Sequence, residues 1–72
     1  MKNMDFKLRQ GEEFIKLGQL LKACNVVSNG GEAKIRISEG EVKVNGSVEK
    51  ARGKKIKPGD MIEIDDVSII IK

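Results

Sequence analysis

The chain has 72 residues, of which 39% are hydrophobic and 35% charged, and its formal net charge is +3. A chain of this length forms one domain with a small core, and it lacks the apolar material for the deep pocket of a small-molecule enzyme. It contains no His, Trp or Tyr and one Cys, Cys24, so the commonest general base and metal ligand are missing and no internal disulfide can form. We expect a single domain over residues 1–72, not an enzyme, with no cofactor, metal or small-molecule substrate.

The charge is unevenly distributed along the chain. Residues 34–58 contain eight basic and three acidic residues, a net charge of +5, whereas residues 1–33 carry +1 and residues 59–72 carry −3. Concentrated positive charge is typical of proteins that bind a polyanion, although charged side chains that only solvate a small domain explain the composition equally well. The first residues have no apolar run behind their charge, and no window approaches a membrane span. We therefore expect a cytoplasmic protein without a membrane partner.

The N-terminal part predicts a strand and a helix. Asp5–Leu8 alternates weakly and is interpreted as a short edge strand. Leu17, Leu20, Leu21 and Cys24 follow at helical spacing and form one apolar stripe. Cys24 is therefore expected to be a small core residue rather than a reactive thiol.

The next segment has two readings. Asn29 can cap a helix, and Glu32 lies at the position that completes a capping-box-like pair. Residues 33–38 alternate like a strand, yet Ala33 and Ile37 also share a helical face. Gly40 would end the helix. Local reasoning favours the helix over the strand only slightly.

After Gly40 the pattern is that of strands. Val42 and Val44 alternate with charged residues, and Asn45-Gly46 is a strong hairpin signal. A two-residue turn would place Val48 on the opposite face from Val42 and Val44. We therefore predict a three-residue loop over 45–47, which pairs Val44 with Val48 and keeps one apolar face.

The C-terminal part predicts a turn and two further strands. Lys57–Asp60 has the Pro and Gly of a type II turn, and Ile62 and Ile64 should face the core. Asp65-Asp66 turns the chain into a last strand, Val67–Ile71. The order of elements predicts a small α+β domain.

Two motifs carry a resemblance to a known family. Glu39–Gly46 reads E-G-x-V-x-V-N-G, and Lys57–Ile62 reads K-P-G-D-x-I. Together they resemble the S-four (S4) RNA-binding domain, named after the small-subunit ribosomal protein, with a core of resemblance over residues 16–64. The chain is most similar to the small stand-alone bacterial S4-like proteins, on the segments 17–19, 30–34 and 52–56. The resemblance implies that Glu32–Glu39 is a helix and that two short helices pack against a small antiparallel sheet with short terminal strands.

The resemblance also implies a function. S4-like proteins without a catalytic domain bind structured RNA, often ribosomal RNA, through basic residues of the helices and the following loop. We expect such binding here, by a monomer that acts in ribosome assembly or translation quality control. The chain departs from the wider family where Lys16-Leu17-Gly18 replaces Arg-Leu-Asp and where Gly30-Gly31 replaces Ser-Arg.

The candidate RNA contacts are basic side chains and one glycine-rich helix start. They are Lys16, Lys22, Asn29, Gly30, Gly31, Lys34, Lys43, Arg52, Lys54 and Lys55. Lys22 and Lys34 are expected on exposed helix faces, where they would meet phosphate oxygens. Arg36 lies about 200° from Lys34 around a helix and is not expected to touch the same backbone. Asn29-Gly30-Gly31 would offer free N–H groups to a phosphate, although Glu32 opposes an anion there and capping explains the motif equally well.

Two further observations shape the expected partner. The only aromatic residues are Phe6 and Phe14, both expected in the core, which favours a folded RNA over a stacked single strand. The alternative function is a small protein-interaction adaptor without RNA contact, which would use its apolar C-terminal strand as an exposed edge.

Overall fold

The structure is a computed structural model that describes residues 2–72. Two helices, α1 (Leu17–Ala23) and α2 (Gly30–Ser38), lie between short strands. The strands are β1 (Lys2–Phe6), β2 (Ile15–Lys16), β3 (Val42–Val44), β4 (Ser47–Val48), β5 (Lys55–Ile56), β6 (Met61–Ile64) and β7 (Val67–Ile71). In the described residues, neither helix has the length and apolar character to cross a membrane.

The strands form two sheets. Five are ordered β1-β7-β6-β3-β4, and β2 pairs separately with β5. Among residues 2–72, β1 pairs with β7 in parallel and the other strand pairs are antiparallel. The α+β class is confirmed, but the main sheet is mixed rather than wholly antiparallel. The edge position of the first strand is confirmed, although it begins at Lys2 rather than Asp5. The exposed C-terminal edge invoked for an adaptor is wrong, because β7 is paired on both sides.

The predicted hairpin register is wrong. Lys43 pairs with Val48 and Val44 with Ser47, so the turn has two residues rather than three. Asn45 and Gly46 have φ angles of 53° and 86°, and positive φ at both positions matches the tight turn that suits the twist of paired strands. Val48 consequently lies on the outer face with 50% exposure. The turn geometry therefore outweighs the burial of one valine side chain.

The core lies between the helices and one face of the main sheet. Leu17, Leu20 and Leu21 of α1 are fully buried, as the apolar stripe predicts. Ile62 and Ile64 meet the core from β6, as expected. Each such buried side chain contributes about 1.5–3 kcal/mol relative to exposure.

Cys24 packs against the core at the end of α1. The side chain is half-buried, and this burial raises the pKa of its thiol. The thiol therefore stays protonated at neutral pH, which agrees with the predicted packing role.

The ambiguous segment is a helix because its start is capped. Asn29 has extended backbone geometry, and its Oδ1 accepts the N–H of Glu32 at 2.9 Å. The Glu32 carboxylate in turn accepts the N–H of Ser28. The cap is confirmed, and the helix begins two residues earlier than the implied Glu32–Glu39.

The two family motifs meet at one corner of the sheet. Asn45 donates its side-chain amide to Asp60 at 3.0 Å and accepts the N–H of Met61 at 2.9 Å. Asp60 also accepts the N–H of Lys57 at 2.8 Å, and these hydrogen bonds lower the pKa of its carboxyl. Gly59 has φ 98°, and the N–H of Asp60 donates to the Lys57 carbonyl, so the type II turn is confirmed. These hydrogen bonds between the two motifs therefore hold the corner of the sheet together.

Candidate nucleic-acid interface

The 51–55 loop (Ala51–Lys55) lies against the first turn of α1. The N–H of Leu17 donates to the Lys54 carbonyl at 2.9 Å, and the N–H of Gly18 donates to the Arg52 carbonyl at 3.0 Å. The first N–H groups of a helix have no partner within it, so carbonyls of the loop satisfy two of them. The pairing of β2 with β5 holds the loop from its other end.

Gly18 lets the helix and the loop approach closely. A Cβ at this position would lie 3.6 Å from the Arg52 Cβ and 3.7 Å from the Arg52 carbonyl oxygen. A methyl group would fit in ordinary contact, but a longer side chain would extend toward the space between helix and loop. Gly18 also brings no charged side chain to this position beside Arg52.

A cleft of about 310 Å³ opens between α1, the start of α2 and the 51–55 loop. We call it the basic cleft. It is lined by Lys16, Gly18, Gln19, Lys22, Gly30, Ala33, Arg52 and Gly53. Four of these eight residues are Gly or Ala, so a ligand backbone can approach the protein main chain closely.

The charge of the basic cleft is entirely positive. Lys16, Lys22 and Arg52 line it, and none of its lining residues is Asp or Glu. Within residues 2–72, none of these three side chains forms a salt bridge. The three positive charges are therefore available to an anion from outside the protein.

A second depression, of about 600 Å³, lies between the β3–β4 hairpin and the segment 54–57. We call it the hairpin groove. It is lined by Val44, Asn45, Ser47, Val48, Glu49, Lys54, Lys55, Lys57 and Asp60. Lys54 and Lys55, predicted as RNA contacts together with Arg52, therefore face a different depression from Arg52.

Lys55 is held by an aromatic ring. Its Nζ lies 5.0 Å from the centre of the Phe14 ring, within the range of a cation–π interaction. Phe14 is half-buried beneath this lysine, whereas Phe6 packs against the core. The expectation of a core position is thus confirmed for Phe6 and wrong for Phe14, because the β2–β5 pairing places Phe14 beside Lys55 at the surface.

The glycine-rich start of α2 is divided between two surfaces. Gly30 lines the basic cleft. Asn29 and Gly31 line a shallow hollow of about 670 Å³ on the other side, with Glu32 and the 60%-exposed Ile35. The Asn29 side chain and the Glu32 carboxylate are used in capping. This hollow therefore has fewer groups that could bind an anion than the basic cleft has.

Arg36 is tied into the fold. Its Nε donates to Glu41 at 2.9 Å, and a terminal nitrogen donates to Asp65. These two carboxylates raise the pKa of the guanidinium. Arg36 links α2 to the β6–β7 turn and lies outside the basic cleft.

The two remaining candidates do not line the cleft. Lys34 is exposed on α2, directly after the cleft residue Ala33. Lys43 is exposed on β3, where its neighbours across the strands are Glu63 and Val48.

The structure thus brings together four of the ten predicted residues, namely Lys16, Lys22, Gly30 and Arg52. Sequence reasoning missed Gln19 and Ala33 as cleft residues and Lys57 as part of the hairpin groove. Gln19 lies three residues from both Lys16 and Lys22, and this helical spacing was the available signal. No group of three or more His, Cys, Asp or Glu able to hold a metal ion is found in residues 2–72.

The fold and the sequence have known relatives. The S4 domain family matches residues 6–72. The chain belongs to the S4 domain family. A probable ribosome maturation protein, RlbA of Bacillus subtilis (strain 168), is 47% identical to this S4 domain over 53 residues, 74% of this chain and 75% of RlbA.

A solution structure shares the architecture of this S4 domain. YbcJ from E. coli, described as having an αL motif involved in RNA binding, superposes with a TM-score of 0.65 and 36% sequence identity. The match covers 97% of this chain and 91% of YbcJ. The predicted family and fold class are therefore confirmed.

Proposed function

We propose that this S4 domain binds structured RNA, specifically ribosomal RNA, through the basic cleft and acts in ribosome maturation in the cytoplasm. One observation carries the proposal: Lys16 and Lys22, at the two ends of α1, meet Arg52 of the 51–55 loop in a cleft with no carboxylate in its lining. The names of the relatives, a ribosome maturation protein and an RNA-binding structure, support the same conclusion. We propose a binding role rather than an enzymatic one.

The cleft suits an RNA backbone. Arg52 can hold a phosphate through two N–H groups, whereas Lys16 and Lys22 act as point charges. Gly30 and Gly53 add no side chains that would keep a phosphodiester chain away. Contacts of this kind position an RNA without reading its bases.

The structure also favours folded RNA over an unstructured strand. Binders of single strands use exposed aromatic rings on which bases stack. Phe6 packs against the core and Phe14 lies under Lys55, so neither ring is a free platform. Recognition of shape and backbone is therefore the mode that the available side chains support.

Lys34 extends the proposed interface. It is exposed and follows the cleft residue Ala33 directly. We place it at the rim, where it attracts the RNA at longer range. We assign no direct contact to Lys43, Asn29 or Gly31.

Binding of a labelled ribosomal RNA hairpin, measured by fluorescence anisotropy over a salt series, tests the proposal. Arg52→Gln should weaken binding about tenfold and reduce the log–log salt slope by about 0.7–0.9, the contribution of one phosphate contact. Lys22→Gln should reduce the slope by a similar amount. Duplex DNA and an unstructured RNA of equal length should bind more weakly than the hairpin.

Lys2→Gln is a matched control, because it removes one positive charge at another site. Lys2 lies on the edge strand β1 and donates its backbone N–H to Asp66, at the turn where Asp65 pairs with Arg36. Its affinity and slope should equal those of the wild type. Equal losses in Lys2→Gln, Lys22→Gln and Arg52→Gln would show that only net charge matters and would refute a defined cleft.

A further inference from the structure

We propose that the hairpin groove binds a second phosphodiester segment of the same RNA, so that the protein selects RNAs that present a backbone on both sides of the 51–55 loop. This inference rests on RNA binding by the basic cleft. It concerns a separate surface and separate residues. It adds a substrate class, an RNA with two adjacent backbone segments, to the proposed function.

The positive charges of the hairpin groove are available to a ligand. Lys54, Lys55 and Lys57 line the groove and are exposed. In the described part of the chain, none of the three forms a salt bridge. Three lysines within four residues concentrate positive charge, which a bound phosphate can neutralise.

The groove also contains two carboxylates, and both are engaged in the fold. Asp60 accepts hydrogen bonds from the Lys57 N–H and the Asn45 side chain. Glu49 accepts the N–H of Ala51 at 3.2 Å. These carboxylates leave the groove a net charge of +1 against +3 for the basic cleft, so we expect the groove to bind more weakly than the cleft.

One loop connects the two depressions. Arg52 and Gly53 line the basic cleft, whereas Lys54 and Lys55 line the hairpin groove. The hydrogen bonds of α1 to the carbonyls of Arg52 and Lys54 hold the loop in place between them. An RNA that meets both depressions therefore has the loop between two of its backbone segments, as a helical or sharply folded RNA allows. The position of the lysine-lined groove next to the basic cleft favours RNA over an acidic peptide as the occupant.

The first test compares two probes, a ribosomal RNA hairpin and a single-stranded hexanucleotide that offers one backbone segment. Lys54→Gln/Lys57→Gln should weaken hairpin binding about three- to tenfold and lower the salt slope by about 1.4–1.8, the contribution of two phosphates. The same variant should leave hexanucleotide binding unchanged. Lys2→Gln/Lys7→Gln, with two exposed lysines from β1 and the segment after it, is the matched control. Lys55 is left intact because it packs on Phe14.

The second test changes the charge in the opposite direction. Glu49→Gln keeps a side-chain oxygen for the Ala51 N–H but removes a negative charge from the groove. Hairpin binding should become about two- to threefold tighter, because a repulsion of the phosphates is lost. A loss of folding cannot produce tighter binding, so this variant keeps the proposal testable even if the lysine variants are unstable.

The outcomes separate this inference from the proposed function. If Arg52→Gln weakens binding while the Lys54/Lys57 and Glu49 variants match the wild type, the cleft binds RNA and the second segment is refuted. If no cleft variant weakens binding, the proposed function itself fails. An acidic peptide is tested in parallel. If the Lys54→Gln/Lys57→Gln variant binds this peptide more weakly than the wild type does but binds the RNA hairpin equally well, the groove belongs to a protein partner and the inference is overturned.

Discussion

Arg52 and Arg36 lie near opposite ends of α2, and they differ in the carboxylates that surround them. At the Gly30 end, the helix faces the basic cleft, where Arg52 has no carboxylate among the lining residues. At the Ser38 end, Arg36 is bound by Glu41 and Asp65. The Arg36 side chain is only 19% exposed, and its two partners are Glu41 in the α2–β3 connection and Asp65 in the β6–β7 turn.

This difference teaches how to interpret a basic residue in a small charged domain. A cation that has internal anions stabilises the fold and attracts an external anion less, because the neighbouring carboxylates cancel its field. A cation without such partners is available for binding. Sequence position alone does not separate these two roles.

The largest expected effect comes from removing all of the charge in the basic cleft. Lys16→Gln/Lys22→Gln/Arg52→Gln should weaken RNA binding about 100-fold or more and flatten the salt slope by about 2–2.7, because three phosphate contacts are lost. The free energy of unfolding should change by less than about 0.5 kcal/mol, since these side chains are exposed. Anisotropy and urea denaturation measure the two quantities. A large loss of stability would mean that the cleft residues are structural, contrary to the comparison.

The next largest effect is expected at Arg36, at the other end of α2, where a substitution should lower stability and leave RNA affinity unchanged. Arg36→Gln should lower the free energy of unfolding by about 1 kcal/mol, near the upper limit for a surface ion pair, because two partially exposed pairs are lost together. The midpoint of thermal unfolding should fall by about 4–8 °C. RNA affinity at a temperature where both proteins are folded should match the wild type. A tenfold loss of affinity in the folded variant would break the distinction between the two arginines.

The sequence predicts the local helices and strands and the charged residues, but it does not predict which distant segments contact one another. Helical spacing identified the buried stripe of α1, and the Asn29–Glu32 pair identified the start of α2, because both signals lie within a few residues of chain. The parallel pairing of β1 with β7 joins the two ends of the chain, and no local pattern contains it. The predicted hairpin register is wrong because the turn preference of Asn45-Gly46 outweighs the burial of Val48.

The same limit applies to the candidate site. Lys22 and Arg52 are candidates from the sequence, but only the carbonyl contacts between the 51–55 loop and α1 place them in one cleft. Lys34 was expected to act with Lys22, yet it lies outside the cleft lining. The most recognisable motifs, around Asn45 and Asp60, proved to hold the sheet corner together.

A smaller effect sharpens the contrast between structural and binding charges. The folded-state pKa of Asp60 is lowered below its unfolded value of about 3.9 by hydrogen bonds from Lys57 and Asn45. Its stabilisation is therefore complete above that value and is lost as the pH falls through the lower, folded-state pKa. The wild type should lose more free energy of unfolding between pH 5 and pH 3, a window of roughly one unit either side of that value, than Asp60→Asn does. Parallel curves for the two proteins would show that Asp60 does not anchor the corner.

The most direct test of the central claim is a titration of isotope-labelled protein with a ribosomal RNA hairpin, followed by amide chemical shifts in NMR. The account predicts that the largest shifts occur at Gly18, Lys22, Gly30 and Gly53 around the basic cleft, while the amides of Arg36, Glu41 and Asp65 stay unchanged. Shifts centred on Arg36 and its partners, with an unperturbed cleft, would contradict it.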